Sequence, residues 1–92
     1  MGFLIVLTDL EKIVALCKRG DKKAQKALFD NLSPQMLGIE YRYVAGYDLA
    51  NEVVQLTFIK VFKNIENVDP KKIKGWMRKI TVNTALNTLK QE

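Results

Sequence analysis

The chain has 92 residues, 48% hydrophobic and 27% charged, with a formal net charge of +5, no histidine and a single cysteine, Cys17. That length suits one small domain, and that composition belongs to the globular rather than the disordered class. Lacking an imidazole and a second thiol, the sequence excludes disulfide frameworks, cysteine/histidine zinc sites and histidine-dependent triads.

The first element, "MGFLIVL", has an apolar run from Phe3 to Leu7 only. A secretory h-region needs about 7–15 residues after a basic segment and a membrane span about 20, so neither is expected. Val6 stands where a myristoylation motif wants Ser or Thr. The expectation is a tail that packs on the domain or on a neighbouring copy, with no membrane partner.

"TDLE" at 8–11 has capping-box spacing, with Thr8 as cap and Glu11 reaching back. A helix is predicted from Asp9 to Lys18, burying Leu10, Ile13, Val14 and Cys17 and ending at Gly20. Cys17 reads as a small buried apolar group, which suits a reducing cytoplasm. Asp21 caps the next helix, whose Ala24, Ala27, Leu28 and Leu32 face inward. Ser33-Pro34 has the cap-then-proline order that starts a helix, predicted to continue through Leu37, Tyr41 and Val44 to Gly46. Asp48 caps a fourth helix, to about Asn64. Asp69-Pro70 lies in an irregular connection, and a last helix runs from about Lys72 to Lys90. Apolar residues recur at three and four throughout, so the fold class is all-α, a small bundle of four to five helices.

At about 100° per residue, Ala50, Val53, Val54, Thr57, Phe58, Val61 and Ile65 form one broad stripe of the fourth helix. Leu49, Leu56 and Ile59 point to the opposite side, with Glu52 among them. Either a neighbouring helix covers that ridge, or it meets a helical protein partner with a basic residue to offer. On the last helix, Trp76, Met77 and Ile80 face one way, and Val82, Ala85, Leu86 and Leu89 roughly the other. Trp76 reads as mainly structural. Asn83 has poor mid-helix propensity, so its amide is expected to bond either a neighbouring backbone or a nucleobase edge.

Charge placement adds to this. Residues 1–59 carry seven basic and seven acidic side chains, whereas residues 60–79 carry seven basic against two acidic. Such a run is either solvated surface or a contact for an anionic polymer, and the aromatic and amide groups beside it favour the polymer.

Four stretches, "IVALCKRGDKKAQKALFD", "YRYV", "ANEVVQLTFIKVFKNI" and "GWMRKITVNTALNTL", in this order and spacing, resemble domain two of bacterial sigma factors of the extracytoplasmic-function (ECF) group. The likeness covers about residues 10 to 91, leaving 1–9 as an apolar tail and cap. It implies a helical bundle of the sigma region 2 type that catalyses nothing and needs no cofactor. One helix would dock on the clamp helices of the RNA polymerase β′ subunit. The loop and helix after it would read the promoter −10 element on the non-template strand and help melt it. The docking motif falls on Ala50, Glu52, Val53, Val54, Gln55, Thr57 and Phe58, and the family's polymerase contact on Leu49, Glu52, Gln55, Leu56 and Ile59. The reading motif falls on Trp76, Ile80, Asn83 and Asn87. The loop from about Asn64 to Lys74, with Asn67, Val68, Lys71, Lys72 and Lys74, matches the base-capturing loop. Ile80 and Asn83 would line the pocket for an extruded base, and Arg78 and Lys79 would contact phosphates or the upstream duplex edge. An anti-sigma factor is a further partner of such proteins, and the cytoplasm their compartment.

Some positions depart from the family pattern. Glu52 stands where aspartate is usual and Leu56 where glutamate is usual, so the docking face has one carboxylate fewer. Val68 and Ile73 replace loop positions often held by phenylalanine. The family also carries a second helical domain for the −35 element, which is absent after Glu92, so a piece of a longer factor is expected. The competing reading is a helical protein-interaction domain that keeps the bundle without promoter reading. A general single-strand binder would explain the lysines but not the apolar ridge. An enzyme fits least, because Glu11, Glu40, Glu52 and the aspartates read as cap or surface positions without a nucleophile or imidazole beside them.

Overall fold

The computed structural model describes residues 9–91, with side chains through residue 90. The expected tail and the Thr8 cap lie outside the described residues. Four α-helices follow in order: α1 (Asp9–Lys18), α2 (Lys22–Glu40), α3 (Tyr47–Asn64) and α4 (Ile73–Gln91). Two short 3-10 turns, Ile65–Asn67 and Pro70–Lys72, link α3 to α4. The described residues contain no strand. The all-α expectation holds, and the body is elongated, at 55 × 21 × 20 Å.

The first boundary falls where the sequence places it. Gly20 adopts φ 82°, a left-handed conformation that glycine enters without a Cβ penalty. Its N–H donates to the Cys17 carbonyl at 2.9 Å, and Asp21 then caps α2, its Oδ1 accepting from the Ala24 N–H at 2.9 Å. Beyond that, α2 departs from expectation. Pro34 starts no helix but lies inside α2, where it removes the ladder bond to the carbonyl of Asp30. The helix continues because Leu28, Leu32 and Met36, four residues apart across the proline, are all buried. Full burial of one such side chain stabilises by about 1.5–3 kcal/mol, comparable with the proline's cost.

α2 also stops earlier than expected, at Glu40 rather than Gly46. Tyr43 and Val44 N–H groups both donate to the Glu40 carbonyl at 2.9 Å, closing the helix into a turn. Gly46, at φ 95°, then redirects the chain and is itself the residue before α3, so Asp48 lies in the first turn rather than at the cap. There its charge still favours the positive helix end.

The main core joins all four helices. Val14 and Cys17 of α1, Leu28 and Met36 of α2, Val54, Phe58 and Val61 of α3, and Ile73 and Met77 of α4 pack with Ile65 and Val68 of the connection. The Phe58 ring lies 4.7 Å from Phe29 and 5.8 Å from Phe62 between centroids, within the range of favourable tilted aromatic pairs. Burial pushes the Cys17 thiol up to about 11, with the Asp21 charge adding to it, so the group stays protonated and inert. Glu40, expected at the surface, is instead fully buried, and among the described residues neither carboxyl oxygen has a hydrogen-bond partner. Burial pushes its pKa up to about 7.

Candidate nucleic-acid and polymerase interface

The two faces of α3 separate cleanly. The expected inward stripe is buried at every position: Ala50, Val53, Val54, Thr57, Phe58, Val61 and, just past the helix, Ile65. Thr57 fits there because its hydroxyl donates to the Val53 carbonyl at 2.8 Å. On the other side, Leu56 is 43% and Ile59 64% exposed, with Glu52 and Gln55 exposed beside them and Leu49 half-buried. Among the described residues, no neighbouring helix covers Leu56 and Ile59. The ridge is open to a partner.

α4 is built differently from the expectation. Its inward face runs Ile73, Met77, Thr81, Thr84 and Ala85, whereas Leu86 and Leu89 are 43% and 40% exposed and Val82 is half-buried. Threonine is tolerated inside because each hydroxyl bonds the carbonyl four residues back: Thr81 to Met77 at 2.7 Å and Thr84 to Ile80 at 2.7 Å. Only Ala85 of the four residues expected to form the second apolar face is buried. Apolar patterning missed this face because hydroxyls count as polar in it.

Rotating α4 to bury the threonines splits the basic segment between two flanks. On one flank, Asn67, Val68, Asp69, Lys72, Gly75, Trp76 and Lys79 line an open hollow of about 670 Å³ between the connection and α4. On the other, Lys74 and Arg78 join Leu32, Gln35, Met36, Ile39 and Met77 around a groove of about 290 Å³ between α2 and α4. Gly75 borders both, and a Cβ there would meet nothing within 4 Å, so open space lies beside its backbone.

The hollow thus brings together five residues singled out from sequence: Asn67, Val68, Lys72, Trp76 and Lys79. Lys74 and Arg78 are not among them. Lys71 is exposed on the connection, where its N–H donates to the Asp69 carboxylate at 3.0 Å and so shapes the turn. Val68 and Ile73, where phenylalanine is usual, are core residues at 5% and 2% exposure. Trp76 and Ile80 are half-buried against the core. Each therefore offers a partial apolar surface while anchoring the helix.

Asn83 is exposed and makes no side-chain hydrogen bond among the described residues, which leaves its amide open. It does not line the hollow. It sits two turns beyond Trp76 on the same flank, about 10 Å along the axis. Asn87 is exposed one turn further.

Two contributions went unrecognised in the sequence. Asp69 holds the connection, and Thr84 accepts a hydrogen bond from Lys60 Nζ at 3.2 Å, tying α3 to α4. The Asp69-Pro70 pair carried a signal for the first, as an acceptor one residue before a helical turn. Nothing local signals the second, which spans 24 residues.

Comparison with known proteins places this arrangement. Sigma factor SigE, an ECF RNA polymerase sigma factor of Mycolicibacterium smegmatis, is 32% identical over 53 residues, covering 58% of this chain and 21% of that protein. The RNA polymerase sigma-H factor of Pseudomonas aeruginosa is 31% identical over 80 residues, covering 86% of this chain and 42% of that protein. The chain therefore spans less than half the length of either relative. An NMR structure of an engineered region 2 of sigmaE in complex with GTAAAA superposes with a TM-score of 0.82 at 34% identity, covering 90% of this chain and 86% of that one. The family described as Sigma-70 region 2 matches residues 28–92, most of the sequence, and the chain belongs to it.

Proposed function

We propose that residues 10–91 are a transcription-initiation module that docks on RNA polymerase core and reads the promoter −10 element as a single strand. The docking face is the α3 ridge of Leu49, Glu52, Gln55, Leu56 and Ile59, and its partner the β′ clamp helices. The reading face is the hollow with Asn67, Val68, Lys72, Trp76 and Lys79, continued by Ile80 and Asn83 along α4. Lys71 adds positive charge beside it, and Lys74 and Arg78 add it on the other flank of α4, with Arg78 and Lys79 contacting phosphates or the upstream duplex edge. The module breaks and forms no covalent bond. Such a role belongs in the cytoplasm, where an anti-sigma factor would act by covering one of these faces.

One observation carries this reading: an open hollow with cations and a half-buried tryptophan, in a region 2 chain whose structural neighbour is in complex with GTAAAA. Taking a base out of the stack costs a few kcal/mol, offset by stacking and edge hydrogen bonds in a shaped site. Lysines at the rim add affinity that is blind to sequence and falls with salt. An amide, donating and accepting at once, supplies discrimination.

The test mixes the chain with core polymerase and a labelled −10 single strand, singly and together, and expects capture of each. In base-by-base competition, Asn83→Ala alters the preferred −10 base, by about 1–3 kcal/mol of discrimination at one position. Lys72→Ala weakens all sequences alike. Equal loss at every base from both variants would leave only non-specific binding, and no strand binding at all would leave a protein-interaction domain.

A further inference from the structure

Lys60 stands on α3, one turn after Leu56 and next to Ile59, on the helix assigned above to polymerase. Its ammonium nevertheless reaches α4, donating to Thr84 Oγ1 at 3.2 Å. The Thr84 hydroxyl in turn donates to the Ile80 carbonyl at 2.7 Å. One hydroxyl can give a proton and accept another bond, so the two contacts form a continuous chain from Lys60 to the α4 backbone. Thr84 is 2% exposed, which fixes the anchor, while Lys60 itself is exposed.

The position of that anchor matters. Along α4, Thr84 lies four residues after Ile80 and three before Asn87, the spacings at which helix side chains neighbour one another, and Asn83 is next to it in sequence. The contact therefore brings the ammonium to the turns of α4 that carry the amide pair. A neutral hydroxyl positions the charge without cancelling it. Lys26 shows the other case, since its ammonium meets the Asp30 carboxylate at 2.7 Å.

We propose that Lys60 belongs to the nucleic-acid face, as a cation supplied by the docking helix that holds a backbone phosphate of the single strand beside Asn83 and Asn87. The inference rests on the single-strand reading proposed above and extends it. With Lys72 and Lys79 at the hollow, Lys60 would grip the strand at the far end of the track, so that the amides meet bases held from both sides. A phosphate contact of this kind sets register and carries no base preference. The docking and reading surfaces would then meet at one side chain rather than lie apart.

The experiment measures binding of a labelled mixed-sequence single-stranded DNA to the whole chain across a salt series, with the helical circular-dichroism spectrum checked for every variant. Lys60→Ala is expected to weaken binding several-fold at low salt and to reduce the log–log salt slope by about 0.7, the value for one phosphate on a single strand. Thr84→Val keeps the charge but frees it, so a smaller loss is expected, and Thr84→Ser restores wild-type binding. Lys26→Ala, whose charge is already paired, should match wild type. If Lys60→Ala behaves like Lys26→Ala while the wild type binds, the phosphate role is wrong and the single-strand reading survives. Full affinity in Thr84→Val would overturn the positioning. Loss of polymerase capture alone would assign Lys60 to the docking face, and absence of wild-type binding would overturn both readings.

Discussion

α3 and α4 run side by side and bury similar lengths of helix, but they do so with different chemistry. α3 hides aliphatic and aromatic side chains with one threonine among them, and leaves Leu56 and Ile59 outside. α4 hides Ile73, Met77 and Ala85 with two threonines, and leaves Leu86, Leu89 and all four of its cations outside. A buried hydroxyl costs little when the carbonyl four residues back accepts it, so both faces can be dry. What differs is the outer side: α3 presents an apolar ridge with a carboxylate, α4 cations and amides. Two neighbouring helices of one bundle therefore suit two kinds of partner, a protein and a nucleic acid.

The strongest test of that division replaces an apolar group on each outer side. Leu56→Arg should abolish polymerase capture and leave the helical circular-dichroism spectrum intact, because a 43% exposed side chain contributes little to the fold. Leu86→Arg, equally exposed on α4, should leave capture unchanged. Capture that survives Leu56→Arg would remove the docking role from α3, and equal loss in both would mean that the ridge is not the interface.

Glu40 extends the comparison to a buried polar group without a local acceptor. The threonines are satisfied by their own helix, while this carboxyl has no partner among the described residues and its pKa is pushed up to about 7 by burial, from 4.5. Between those two values the folded state binds more protons than the unfolded one, so stability falls as pH rises and levels off above about 7. The difference amounts to roughly 3 kcal/mol at about 1.4 kcal/mol per pH unit. Glu40→Gln should therefore match wild type near pH 4 and exceed it by up to about 3 kcal/mol at pH 8 in urea unfolding. A gap that stays constant from pH 4 to 8 would mean that the carboxyl titrates alike in the folded and unfolded states, and that burial does not perturb it.

Legibility in the sequence followed this same chemistry. The α3 stripe could be read residue by residue because its members sit at three and four and nearly all are apolar. Gly20 and Asp21 were legible as well, since a left-handed glycine and a side-chain cap act locally. Pro34 misled because its local preference for a helix start was outweighed by Leu28, Leu32 and Met36, whose spacing runs through it. On α4 the threonines concealed the inward face, so the rotation of the helix, and with it the division of Lys74 and Arg78 from Lys72 and Lys79, was not readable from apolar residues. The hollow was foreseeable as loop plus tryptophan plus lysine. Glu40 was not, because no sequence pattern distinguishes a carboxylate at a helix end from one folded inward.

The smallest effect separates packing from hydrogen bonding on α4. Thr81 is fully buried and its hydroxyl donates to the Met77 carbonyl, which also accepts the ladder N–H of Thr81 as an α-helix requires. Thr81→Val keeps the shape and strands no acceptor, so stability should change by less than about 0.5 kcal/mol. Thr81→Ser keeps the hydroxyl but removes a methyl group from a site with no solvent access, and should cost about 1 kcal/mol. Urea midpoints with Val at or above Thr, and Ser below both, would show that α4 is held by the methyl groups of its threonines, as α3 is by its valines. The reverse order would mean that the hydroxyl bonds themselves stabilise α4, and that its inner face works on a different principle from that of α3.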